Sequence, residues 1–271
     1  MKLSMGSIAL LGPGQITLGA GPLASGEGGG YTFVNSEAAA LVARFTTPPD
    51  NPRKLLIDNL VGSLKSDGVW ARLELFYVLA AADAQAARRN WIADVGNLAA
   101  VASPIFTADR GYVSDGSSAY LESSYELSTA TLFTQNDASL GQWNNTLVAA
   151  TVDIMAVGNA RIRPYAGTGS VAFRPNTSAT LLPARTPTTG SLAYSRTASN
   201  AWSAYGGGSL ISSAADVSSA VSGTLRLLAI SGGTPSTSRM AAAWAGASLS
   251  DAQQAAMNAA LNTYLQAVGG A

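Results

Sequence analysis

From residue 98 onward the chain alternates short β-favouring runs with clusters of Gly, Asn, Ser and Pro. Strands are expected at 120–121, 130–134, 138–143, 147–155, 160–165, 170–173, 191–196, 201–205 and 225–231, with a last one at 239–247. Turn signals recur about every 10 residues, the spacing of an all-β sandwich or barrel. The change of texture falls at residues 106–121. Ile105 and Phe106 are apolar and β-favouring, and Asp109 and Gly111 supply turn chemistry. Asp115-Gly116 gives a second turn, flanked by Tyr112, Val113, Tyr120 and Leu121.

Before residue 98 the pattern is mainly helical. Ser36 can cap a helix through Ala38, Leu41 and Val42, which the Pro48-Pro49 and Pro52 cluster stops. Asp50 or Asn51 then caps a second helix with Pro52 in its first turn and Gly68 at its end. Leu56, Leu60 and Leu64, at i, i+4 and i+8, form its apolar stripe. Residues 69–74 predict a helical turn, 75–79 a buried strand and 83–89 a short Ala-rich helix leading to Trp91-Ile92. At the far end, Ser248 to Asp251 caps a closing helix whose apolar face is Met257, Leu261, Tyr264, Leu265 and Val268. Residues 1–30 form a Gly-rich arm in which Ile8, Leu10, Ile16 and Leu18 alternate with glycines, a segment expected to be ordered by a partner. The organisation expected is therefore an arm at 1–30, a helical block at 31–97, and a β-sandwich with a closing helix at 98–271.

Composition narrows the function. Lys+Arg and Asp+Glu are 16 each, so no basic field exists to hold nucleic acid. The chain has no Cys and no His, which removes disulfides, thiol nucleophiles, His-based triads and Cys- or His-ligated zinc. The apolar run at 8–11 is too short and broken for a secretory core, and no run of ~18 apolar residues predicts a membrane span. Only 12% of residues are charged, which leaves a weakly charged surface suited to burial between subunits.

Three stretches together carry a family resemblance. One runs from Ala43-Arg-Phe through Arg53-Lys-Leu-Leu-Ile-Asp-Asn-Leu, Gly68-Val-Trp and Tyr77-Val-Leu to Asn90-Trp-Ile; the second is residues 106–121; the third is Ala243-Trp-Ala-Gly-Ala-Ser-Leu-Ser-Asp-Ala-Gln-Gln with the closing helix. Over about residues 37–271 the chain resembles a concanavalin A/laminin-G-like domain of tailed-bacteriophage or prophage virion proteins, of the tail-fibre, spike or head-fibre type. The resemblance implies a mainly-β jelly-roll sandwich and a structural or adhesive role at the virion surface, with host surface glycans as candidate ligands and no chemistry. In such appendages the N-terminal segment docks to the particle, so residues 1–30 are expected to contact other virion proteins. A homo-oligomer, in the first instance a trimer, fits a fibre.

Site candidates are few. Trp202, Tyr205 and Tyr165 are the aromatic residues expected to meet a sugar, with Trp202 and Tyr205 the pair expected to be exposed beside Gly206-Gly207-Gly208; Trp143 and Tyr194 are aromatics on neighbouring strands. The glycine triplet lacks the following Lys-Ser/Thr and the helix of a phosphate loop. Asp115, Asp137 and Asp153 lie near turns but without calcium-loop spacing, so no metal is expected. Glu122 and Glu126 would share a strand face ~13 Å apart, unsuited to either glycosidase geometry along one strand. Asp109 and Arg110 are expected to hold the turn at the seam between the helical block and the sandwich. No catalytic residue and no cofactor is expected. A polysaccharide depolymerase and an architectural knob without ligand are the rival readings.

Overall fold

The computed structural model describes residues 30–270. The arm at 1–30, apart from Gly30, lies outside the described residues, as does the docking role expected of it.

Helix α1 (Ser36–Val42) is preceded by Asn35, not Ser36, because the Asn35 side chain and N–H are committed to Asp58 in the next helix. Helix α2 (Asn51–Ser66) is capped by Asp50, whose carboxylate accepts from the Arg53 N–H at 2.9 Å, with Pro52 in the first turn. A short 3₁₀ turn, Trp70–Arg72, leads into β1 (Leu73–Val78). The expected Ala-rich helix is only the 3₁₀ turn Ala86–Arg88, with the Asp83 carboxylate accepting from the N–H groups of Gln85 and Ala86.

The remaining strands are β2 (Leu98–Val101), β3 (Ile105–Thr107), β4 (Gly111–Val113), β5 (Tyr120–Glu126), β6 (Ala138–Thr146), β7 (Met155–Val157) and β8 (Ala160–Gly167). They continue with β9 (Ser170–Arg174), β10 (Gly190–Ala198), β11 (Ala201–Gly206), β12 (Ser209–Ala214), β13 (Thr224–Leu227) and β14 (Arg239–Gly246). Helix α3 (Asp251–Val268) closes the chain with a capping box between Ser250 and Gln253 and a left-handed Gly269. Two sequence expectations fail here. Residues 130–134 form no strand, and 147–155 contribute only the start of β7; the N–H of Val148 turns aside to Ser238 Oγ instead of joining a ladder.

The strands form two antiparallel sheets. The larger runs β12-β11-β10-β6-β14-β4-β3, with β1 also pairing along β14; the smaller runs β2-β5-β13-β7-β8-β9. The chain is thus the mainly-β, jelly-roll-type sandwich with a C-terminal helix that the sequence leads one to expect. Residues 31–97 do not stand apart from it, since β1 lies in the larger sheet and Tyr31 onward forms one compact unit.

Two apolar layers result. Between the sheets lie Leu75, Tyr77, Leu140, Ile162, Phe173 and Trp202, among others. On the other side of the larger sheet, Phe76, Val78, Trp143 and Trp244 pack against Leu60, Leu64, Leu261 and Leu265 of α2 and α3. Trp244 lies so close to Gly141 that a Cβ there would sit 2.1 Å from the indole ring. The β3–β4 hairpin fastens these layers. Asp109, at φ 60, pairs with Arg53 of α2 at 2.7 Å, and Arg110 donates to the Gly269 carbonyl at the end of α3. The two residues therefore hold the seam between helices and sandwich, the structural role expected of them.

Candidate functional site on the open face of the smaller sheet

Helices cover the outer face of the larger sheet, so the outer face of the smaller one is the broad sheet surface left for a ligand. Strand alternation decides what stands on it. Leu121, Leu225, Leu227, Met155, Ile162 and Phe173 point into the sandwich. Their neighbours Glu122, Arg226, Ala156, Arg161 and Arg174 point out, and the ladder registers place all five in one row across the sheet: Glu122 opposite Arg226, Arg226 opposite Ala156, Ala156 opposite Arg161, Arg161 opposite Arg174.

Ala156 is the gap in this row. Its small side chain floors a cleft of about 280 Å³, with Arg226, Glu122 and Thr224 on one flank and Arg161 on the other. Gly158, in the turn between β7 and β8, shapes one end; its φ is +51, and a Cβ there would meet the Ser222 carbonyl oxygen at 2.9 Å.

The charged groups are held in place. Arg226 donates to Glu122 at 2.8 Å and lies over the Tyr120 ring, 4.7 Å from its centre. Thr224 also donates to Glu122 at 2.8 Å. Burial pushes the Glu122 carboxyl up, but these hydrogen bonds and the charge of Arg226 outweigh it and hold it below the usual carboxylate range. Arg161 and Arg163 both pair with the buried Asp153, at 3.5 and 3.0 Å. The Arg174 Nε donates to Thr180 at 2.8 Å, and among the described residues no carboxylate forms an ion pair with it. Arg161, Arg163, Arg174 and Arg226 thus stand against Glu122 and Asp153, a local excess of positive charge on a chain with none overall.

Of the aromatic residues singled out from sequence, only Tyr165 belongs here; of the carboxylates, Glu122 and Asp153 do. Tyr165 is partly exposed and shares strand alternation with Arg161 and Arg163 on β8. The expected exposed pair is corrected: Trp202 is 4% exposed and Tyr205 3%. Trp202 points into the sandwich beside Phe173, ring centres 6.4 Å apart. Tyr205, beyond an irregularity in the β11–β12 ladder, lies on the opposite face beneath α3 and donates to Asp251 at 2.7 Å. Both ring faces are spent on packing. Trp143 is buried under the helices and Tyr194 in the sandwich, where its hydroxyl donates to Asn176. Gly207 and Gly208, at φ 61 and 77, make the β11–β12 hairpin turn.

Of the other carboxylates weighed from sequence, Asp115, Asp137 and Glu126 are structural. Asp115 accepts from the N–H groups of Ser117, Ser118 and Ala119, which holds it far below the usual range. Asp137 accepts from Ser248 N–H, and Glu126 from Gly223 N–H. No group of three metal-ligating side chains is found among the described residues, and none of their helices is long and apolar enough to cross a membrane. Sequence reading missed Tyr120, Arg226, Arg161 and Arg174. One signal was present: Arg161, Arg163 and Tyr165 alternate with Ile162 and Pro164, a strand with one apolar and one polar-aromatic face.

No protein-family model and no curated protein matches the chain. Solved structures do. Domain 4 of AbnA, a GH43 extracellular arabinanase from Geobacillus stearothermophilus, in complex with arabinotriose, is 16% identical, with a TM-score of 0.54 over 69% of this chain and 98% of that one. The binding domain of botulinum neurotoxin serotype D (9% identical, TM-score 0.46) matches over 69% of this chain and 51% of that one. Trypanosoma rangeli sialidase (8% identical, TM-score 0.48) matches over 78% and 40%. The chain therefore spans about half or less of the length of the toxin and sialidase structures. What the likeness to the arabinanase domain establishes is a shared β-sandwich fold.

Proposed function

We propose that this chain is a structural component of a phage virion, a fibre, spike or decoration protein, whose sandwich binds carbohydrate on the host surface without cleaving it. The observation that carries the binding reading is the row across the open sheet face, where Glu122, Thr224, Arg226 and Arg161 surround a cleft floored by Ala156, with Arg226 held over the Tyr120 ring. The arabinanase domain solved with arabinotriose supports it by analogy of fold. The virion setting rests on the sequence resemblance over residues 37–271. Glu122 is not poised as the general acid a glycosidase needs, since Arg226 and Thr224 hold its carboxyl below the usual range rather than above it. A shallow site gains from many copies, so the chain acts as a homo-oligomer, with three-fold symmetry the expected arrangement and residues 1–30 its attachment to the particle.

The test is incubation of the assembled oligomer with host capsule or lipopolysaccharide. Retention without release of reducing ends is expected. Release of reducing ends would instead assign a depolymerase, and a blank glycan array would leave an architectural knob. Deleting residues 1–30 is expected to leave a folded protein that no longer joins particles; full incorporation would overturn the anchoring role.

A further inference from the structure

The pair Arg161 and Arg174 is unusual for a sheet. They are direct cross-strand partners on β8 and β9. Like charges placed directly opposite one another destabilise an antiparallel pair. Burial, and then the positive charge of Arg174, pull the Arg161 guanidinium below its ordinary range, and Asp153 only counters this. Asp153 is itself shared between Arg161 and Arg163, while Arg174 has no ion-pair partner among the described residues. The chain as a whole has as many acids as bases, so compensating acids were available and are not at this place. An anion lying between the two guanidiniums would remove the repulsion. At the opposite end of the row the charge is already neutralised, since Glu122 takes up Arg226 and Thr224.

Resting on the carbohydrate-binding reading above, we propose that Arg161 and Arg174 form a carboxylate-binding fork, so that the ligand of this face is an acidic polysaccharide, a chain of uronic or other carboxylated sugars. The planar guanidinium matches a carboxylate with two parallel hydrogen bonds, which suits it better than a lysine to this task. The sugar carboxylate sits at Arg161 and Arg174. The ring lies over Ala156 on β7, between the strands that carry Arg161 and Arg226, which stand about 10 Å apart with no larger side chain between them. Ring hydroxyls then meet Glu122, Thr224 and Arg226, groups that accept and donate without needing a charged partner. Glu122 repels a carboxylate placed at the Arg226 end of the row, and Asp153, already shared by Arg161 and Arg163, leaves Arg174 as the uncompensated cation, which fixes the polarity of binding.

Native affinity electrophoresis of the full chain tests this in gels carrying polygalacturonate, the same polymer with its carboxyls reduced to alcohols, or dextran. Retardation is expected in polygalacturonate alone. Arg161→Ala and Arg174→Gln are each expected to weaken it at least about tenfold, the scale of one lost charged hydrogen bond. Arg161→Lys, which keeps the charge but not the fork, falls between, and Lys54→Ala on α2 changes nothing. Arg174→Gln keeps the test valid should Arg161→Ala fail to fold. Equal retardation by the carboxyl-reduced polymer, unchanged in both arginine variants, would overturn the fork while leaving carbohydrate binding intact. No retardation in polygalacturonate would overturn the fork; if carboxyl-reduced polymer, dextran and host polysaccharide also fail to retain the protein, the carbohydrate reading falls with it. Equal loss in Lys54→Ala would reduce the effect to net charge and overturn the proposal.

Discussion

The two sheets obey the same alternation and present opposite outer faces. On the larger sheet the outward positions are filled by Phe76, Val78, Trp143 and Trp244, and helices α2 and α3 lie over them. On the smaller sheet the corresponding positions carry Glu122, Arg226, Arg161 and Arg174, polar side chains that stay partly exposed with no helix packed over them. The first face is where burial of apolar surface contributes stability, at about 25 cal/mol per Å². The second contributes little of that kind and even keeps two cations opposed. Labour is divided between the faces: the helix-covered face and the inter-sheet layer hold the fold, which leaves the open face free to carry groups chosen for something else.

The comparison can be broken most forcefully at its aromatic residues. Trp244→Ala on the covered face and Trp202→Ala in the inter-sheet layer are each expected to cost about 3–5 kcal/mol in urea unfolding. A small loss for Trp202→Ala with a lost glycan interaction would restore it as a ligand residue. Gly141→Ala is expected to cost about 1–3 kcal/mol, because the Trp244 ring occupies the space of the new methyl group.

A smaller effect tests how residues 31–35 are fastened to the helical layer. Asp58 is 2% exposed and accepts from the N–H groups of Val34 and Asn35, the Asn35 amide and the Tyr31 hydroxyl. Burial pushes its carboxyl up, but these hydrogen bonds outweigh it and hold it below the ordinary value. A depressed folded-state value means that its contribution is full above the unfolded value, about pH 4, and is lost as pH falls through the folded one. Asp58→Asn should therefore cost about 1–3 kcal/mol at pH 7 and progressively less in acid, measured by unfolding at a series of pH values. A pH-independent cost would contradict that account.

The smallest stability effect belongs to the open face. Arg161→Ala is expected to change unfolding free energy by about 1 kcal/mol or less, since it removes an ion pair with Asp153, which keeps Arg163, and a hydrogen bond to the Gly158 carbonyl, but also the repulsion from Arg174. A loss of several kcal/mol would make the row a structural device and end the contrast between the faces.

Much of the fold was legible in the sequence. The stripe of Leu56, Leu60 and Leu64, the Asp50 cap with Pro52, and the Ser250 capping box are local signals, and local structure obeyed them. Strand β12 was missed because Ser209–Ala214, with only Leu210 and Ile211 among small residues, is an edge strand paired on one side only, where β-propensity has little to pack against. The site was less legible for a topological reason. Alternation separates two faces of a strand but does not say which one another layer will cover. Trp202 and Tyr205 looked exposed beside a glycine turn, yet one points between the sheets and the other beneath α3. The opposition of Arg161 and Arg174 depends on the register across the β8–β9 turn, and that of Glu122 and Arg226 on strands about 100 residues apart in the chain.

The central claim is that the open face of the smaller sheet is the binding face. Arginine footprinting with phenylglyoxal, read residue by residue by mass spectrometry with and without a polysaccharide that retains the protein, tests it most directly. Arg161, Arg174 and Arg226 are expected to become protected while Arg44, on the helical side, is modified at an unchanged rate. Unchanged modification of those three arginines in the bound state would contradict it.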